Sequence, residues 1–167
     1  MATFDDHLKG STLNYTNAVF IAGTGSSYST TTTTAGIING KFITTLAAQS
    51  NTASPTTDAT TGAAFVALAP TQCCALVWGT NLAGVIKLCQ GPIIATLTGV
   101  TTTVGGLLVE PQFPPLPDDF CPMAYTIVRT APSASAWTPG TSNWTASGVS
   151  ASTFQNVGAM PSRPQSS

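Results

Sequence analysis

The sequence predicts an all-β fold: a sandwich or barrel-like domain of the jelly-roll type, carrying an extended N-terminal arm. Three observations predict it. β-branched residues, threonine above all, run through the whole chain, and no long window keeps a helical apolar period free of Gly, Pro or a Thr run. Short apolar runs recur at intervals of about 8 to 12 residues, the spacing of strands in sandwiches and barrels. Asn39-Gly40, set between Ile37-Ile38 and Lys41-Phe42-Ile43, is a tight hairpin signal, because Asn-Gly readily takes the positive φ angles of a type I′ turn.

Taken in order, residues 1–35 read as the arm. Phe4, Tyr15, Val19, Phe20 and Ile21 are followed by a stretch from Gly23 to Ala35 made almost wholly of Gly, Ser and Thr. Such a stretch offsets little of its own ordering entropy and needs a surface to dock on. Residues 36–160 read as the β domain and 161–167 as a polar tail. Within the domain, a Ser/Thr/Asp/Pro loop over 48–62 precedes apolar runs at 63–69, 72–78 and 85–90, and residues 79–84 make a Gly/Asn-containing hairpin connection. In the second run Cys74, Leu76 and Trp78 alternate with Cys73, Ala75 and Val77, so both faces are apolar. That describes a strand buried on both sides, or one covered by a neighbouring subunit.

Residues 92–98 and 106–110 are weaker strand candidates. Pro111, Pro114, Pro115, Pro117 and Pro122 make 111–122 a stiff, extended connector unable to form a regular ladder. Residues 123–129 resume as a strand, 137–144 form a turn flanked by two tryptophans, and 150–157 form the last strand.

Composition narrows the function. The chain has 167 residues, with Lys and Arg totalling 5 and Asp and Glu 6; charged residues make up 7%, where about 25% is usual. Hydrophobic residues stand at 43%, so the missing charge is no sign of disorder. Five scattered basic residues assemble neither a phosphate-neutralising patch nor a polybasic membrane contact, which excludes nucleic-acid and membrane-surface partners. The most apolar stretch, Val85 to Val109, is interrupted by Lys87, Gln90, Pro92, Gly99 and Gly105-Gly106, short of the run of about 18 apolar residues that spans a bilayer. Asp5, Asp6, His7 and Lys9 stand where a secretory leader carries its basic stub and apolar run. A surface-type composition without an export signal fits a protein assembled in a host cytoplasm and released by lysis.

No catalytic constellation is expected. The single histidine, His7, lies in the arm, far from any partner for a hydroxyl nucleophile. Asp118 and Asp119, like Asp5 and Asp6, are sequence neighbours that diverge rather than share a pocket, and read as turn formers. Cys73, Cys74, Cys89 and Cys121 lack metal-ligand spacing and read as buried free thiols, with a disulfide as the alternative, so neither a metal nor a cofactor is expected. Asn14-Tyr15-Thr16 and Asn143-Trp144-Thr145 match the glycosylation triplet, as chance allows in so Thr-rich a chain. Trp78 reads as core. Trp137 and Trp144 divide evenly between core and interface, since Trp is enriched at interface hot spots. The residues expected at an interface are Phe4, Tyr15, Phe20, Trp137 and Trp144.

The stretches "INGKF", "SPTTDATTGAAFVAL", "CCALVWGTNLAGVIKLCQGPI", "PPLPDDFCPMAYTIVRT", "WTPGTSNWTASGV" and "MPSRPQ" resemble the head decoration, or cement, proteins of tailed phages. Related β domains recur in fibres and other virion appendages. The resemblance implies a non-enzymatic all-β knob, commonly trimeric, seated on the major capsid protein at the virion surface and bridging capsomers. It carries no individual functional residue across.

Overall fold

The computed structural model describes residues 12–16, 18–161 and 164. They are all-β: several antiparallel sheets pack together as in a β-sandwich, and none of these residues lies in an α-helix. Accordingly, no helix among them is long and apolar enough to cross a membrane.

Two long strands form the spine. β7 (Gln72–Thr80) and β10 (Cys121–Thr130) run antiparallel, with Leu76 opposite Thr126 and Cys74 opposite Val128. β8 (Ile86–Gln90) flanks β7 through the 81–85 turn, and the short β9 (Ile94–Ala95) pairs with the other end of β7. On the far side of β10 lie β11 (Val149–Ala151) and β12 (Gln155–Asn156). The expected single strand over 150–157 is thus two pieces. Between them the Ser152 hydroxyl accepts the Ile127 N–H at 2.9 Å, while the Ser152 carbonyl accepts the Thr126 hydroxyl at 2.7 Å. This stands in for one interrupted rung of the ladder.

β10 starts two residues earlier than its apolar run suggested and takes in Pro122. A register shift between Pro122 and Ala124 makes this possible, since a bulge tolerates a residue without an N–H. The bulge also brings Met123 and Ala124, adjacent in sequence, into one core cluster with Cys121 and Val128. Opposite it, a side chain at Gly79 would collide with the Cys121 carbonyl and the Phe120 ring, so the strand pair needs glycine there.

Both faces of the spine are covered by this same chain. One face carries Cys74, Leu76 and Trp78, and two three-stranded sheets pack on it. The first is β1 (Leu13–Asn14), β4 (Gly36–Ile38) and β5 (Lys41–Phe42); the second is β2 (Phe20–Ala22), β3 (Ser27–Thr30) and β6 (Thr52–Ala53). The other face, with Val77, Cys89 and Tyr125, is roofed by the proline-rich connector. Phe113 and Leu116 reach it, with the Phe113 ring edge-on to Tyr125 at 5.0 Å.

The N-terminal expectation needs correction. Residues 18–35 are not an arm. β2 and β3 form a hairpin whose pleat turns Phe20 and Tyr28 into the core, both essentially inaccessible and packed on Trp78 at 6.0 and 5.2 Å. Composition hid this because two aromatics at the correct alternate positions anchor a hairpin whatever the Ser and Thr between them. Residues 1–11, with Phe4, lie outside the described residues. The Asn39-Gly40 hairpin forms as expected, with φ of 49° and 75°. The 63–69 run and the 106–110 candidate form no strands; they contribute isolated bridges, Leu68 to Trp137 and Leu107 to Thr96.

Candidate functional site

Three of the expected interface residues turn inward. Phe20, Trp137 and Trp144 are at most 5% exposed and sit in the main core cluster, so none offers a docking surface. The indole N–H of Trp137 donates to the Asn143 carbonyl and that of Trp144 to the Ser27 carbonyl, both at 2.9 Å. Buried tryptophans need such acceptors, and the turn over 138–143, with Gly140 at φ 71°, folds back to supply one of them. Tyr15 alone among the described candidates remains open, at 54% exposed.

What stands beside Tyr15 is a feature that the sequence reading did not single out. In the β1-β4-β5 sheet, Leu13 pairs with Ile37, and Ile37 pairs with Phe42. Residues in register across antiparallel strands share a face, so these three form one apolar row. Their neighbours Asn14, Gly36 and Ile38 face inward and are buried, while Leu13 is 43% and Phe42 78% exposed. The inner face thus uses Ile38, and the outer face carries a second set, half-buried at Ile37 and exposed at Leu13 and Phe42 among the described residues.

A second exposed apolar set lies on a hairpin over 96–109. Its backbone is pinned firmly: Thr96 to the Thr71 carbonyl at 2.9 Å, the Thr101 carbonyl to the Ser133 hydroxyl at 2.8 Å, and the Gly105 carbonyl to Arg129 Nη1 at 3.4 Å. Its side chains Leu97, Val100, Leu108 and Val109 point away from the core, Val100 at 76% exposed. The signal for it was present as apolar residues scattered among Gly and Thr, which read as weak strands rather than as surface.

Cys73, Cys74, Cys89 and Cys121 are unpaired and buried. Burial pushes the Cys74 thiol up to about 12 and those of Cys89 and Cys121 up to about 11; it raises Cys73 too, against the opposing pull of Arg129. A thiol held protonated is a poor nucleophile and a poor ligand. Among the described residues, no group of three or more His, Cys, Asp or Glu stands together to hold a metal. Asp119 accepts the Leu82 N–H at 2.9 Å, a bond that ties the connector to the 81–85 turn across 37 positions instead of closing a local turn. In both Asn-X-Thr triplets the threonine hydroxyl donates to the asparagine Oδ1, closing a local turn at 2.8 and 2.9 Å.

No family model, no curated protein and no solved structure matches the chain.

Proposed function

We propose that the protein is a non-enzymatic structural protein of a bacteriophage virion, which decorates the capsid and stabilises it by bridging capsomers. Its partners in this reading are the major capsid protein and further copies of itself, in a trimer. The observation that carries it is the Leu13–Ile37–Phe42 row, an apolar strip whose two ends stand exposed among the described residues of a chain with only 7% charged residues. Charge is depleted at the centre of interfaces, and exposed apolar side chains in register form a surface that gains by being covered. The sequence resemblance to cement proteins supports the same reading.

The mechanism is association with the assembled shell alone. A subunit that binds the mature shell but not its separated parts shifts the equilibrium toward the shell and raises the barrier to its opening. A standard interface buries about 800 Å² per partner, and many copies on one particle add modest individual affinities into a large total.

The test is stoichiometry. Copies per purified particle are counted by quantitative mass spectrometry: hundreds accord with decoration, whereas a handful would point to a fibre or tail-appendage module. Phe42→Ser should lower the number bound to undecorated shells while leaving the fold intact. Unchanged occupancy would remove the row from the interface.

A further inference from the structure

Asp58 presents a different kind of incompleteness. The loop that carries it folds over the edge of β8: Asp58 bridges Leu88, its N–H donates to the Ala63 carbonyl at 2.8 Å, and its carbonyl accepts the Gly62 N–H at 2.7 Å. The residue is only 8% exposed, yet its side chain lines a cavity of about 550 Å³ between this loop, the segment after β8 and Pro115. Every hydrogen bond that it receives comes from a neutral group. Oδ1 accepts the N–H of Thr60 at 3.1 Å and that of Gln90 at 3.4 Å, and Oδ2 accepts the Thr61 hydroxyl at 3.1 Å. Among the described residues, no Lys, Arg or His lines the cavity. The described cations are placed elsewhere: Arg129 holds the Gly105 carbonyl, Lys41 is exposed on β5, and Lys87 lines a separate cavity with Tyr28 and Gln49. A carboxylate this deeply buried is ordinarily matched by a positive group.

The rest of the lining defines what that positive group must be attached to. The Gln90 amide faces the cavity but is fully engaged, taking the Val66 N–H at 2.9 Å and donating to the Val66 carbonyl at 2.8 Å. Ala63, Val66, Pro92 and Ile93 supply apolar side chains, and the Thr60 hydroxyl is engaged in donating to the Pro115 carbonyl at 2.7 Å. An occupant therefore needs an apolar stem ending in a cation. A guanidinium fork prefers two open carboxylate oxygens, but Oδ1 already accepts two N–H donors, whereas Oδ2 accepts a single hydroxyl. A compact ammonium on a four-carbon chain fits better.

We propose that this cavity receives a lysine side chain projecting from the capsid shell, its methylenes against Val66 and Ile93 and its ammonium on Asp58. The inference rests on the decoration reading for its partner, but the site itself is tested without one. The full-length protein is titrated with n-butylammonium chloride, and amide shifts are followed by NMR against matched sodium chloride, 1-butanol and butyrate. Saturable shifts are expected at Ala63, Val66, Gln90 and Ile93, with 1-butanol at least about tenfold weaker and butyrate inert. Asp58→Asn should abolish the preference for the cation. Thr61→Ala, which removes the two loop hydrogen bonds of that hydroxyl, to Asp58 Oδ2 and from the Ala63 N–H, and keeps the charge, should retain it; a merely structural carboxylate would make the two variants alike. Equal response to 1-butanol overturns the site on the unaltered protein, whether or not Asp58→Asn folds, as does no response in both the unaltered protein and the combined Lys9→Ala and Arg163→Ala variant. If n-butylammonium enters only after Lys9→Ala and Arg163→Ala are combined, the chain's own ends supply the cation, and the assignment to a partner falls.

The partner arm uses shells whose lysines are acetylated, which removes the charge and keeps the chain length. Fewer copies should bind to them than to untreated shells. Equal binding overturns the lysine assignment and leaves decoration standing. Binding to neither overturns the decoration reading and leaves the ammonium site to the NMR result.

Discussion

The indole nitrogen of Trp144 donates to the backbone carbonyl of Ser27 at 2.9 Å, joining residues 117 positions apart in the chain. Through this bond the C-terminal turn and the β2–β3 hairpin close over Trp78, whose ring meets Trp144 at 6.3 Å, Phe154 at 6.0 Å and Tyr28 at 5.2 Å. Trp78 differs in one respect: its own N–H is buried without a hydrogen-bond partner.

That difference predicts an asymmetry. Trp144→Phe removes one of the two donors to the Ser27 carbonyl, which keeps the Gly23 N–H at 2.9 Å, and should cost about 0.5–1.5 kcal/mol beyond the change in ring size. Trp78→Phe discards an N–H that bonds nothing, so it should lose ring packing alone. Urea unfolding of the two variants measures the gap; equal losses would show that the Ser27 bond contributes little.

Truncation tests whether residues 18–35 belong to the fold. Removing 1–35 takes away β1, β2 and β3, and with them Phe20 and Tyr28 from the core. Each lost buried aromatic is worth about 3–5 kcal/mol, comparable to the whole stability of a small domain. Circular dichroism of the deletion should show no sharp melt.

The thiols predict the alkaline limb of stability. Folding raises their pKa from 9.0 to about 11 at Cys89 and Cys121 and about 12 at Cys74. Below pH 9 both folded and unfolded forms keep the proton, and the contribution is complete. Above pH 9 the unfolded chain releases protons that the folded chain retains, so stability falls by up to about 1.4 kcal/mol per pH unit for each such thiol. Melting temperature should drop steeply between pH 9 and 11. Replacing Cys74, Cys89 and Cys121 with alanine should flatten that slope, whatever it does to stability at neutral pH.

The same burial predicts thiol inertness. Native protein at pH 8 should react negligibly with a chromogenic disulfide reagent over the time in which denatured protein titrates four thiols, those of the four unpaired cysteines. Rapid reaction of any one in the native state would contradict its burial.

Local chemistry was legible in the sequence wherever two or three neighbouring residues decide it. Asn39-Gly40 dictated its turn because few other pairs take two successive positive φ values cheaply. The alternation of Cys74, Leu76 and Trp78 with Ala75 and Val77 announced a strand buried on both faces. It could not say that one cover would be the proline-rich connector, whose Phe113 and Leu116 reach back over Tyr125.

Side-chain identity misled where burial depends on a distant partner. Phe20 and Trp144 look the same from the sequence as any exposed aromatic in a polar stretch. Only the closing of Trp144 onto Ser27, and of Phe20 onto Trp78, commits them to the core. Conversely, Leu13, Ile37 and Phe42 are separated in sequence and read as ordinary hairpin residues; only the register of three strands lines them up on an outer face.

By itself, then, the sequence determined the all-β class, the hairpin at Asn39-Gly40, the doubly apolar central strand and the scarcity of charge, because propensity and turn chemistry act over a few residues. Tertiary structure alone decided which aromatics are core, which apolar residues stay exposed, and that Asp58 is buried without a cation among the described residues. Those outcomes depend on strand register and on loops folding over edges, and contacts between distant residues set both.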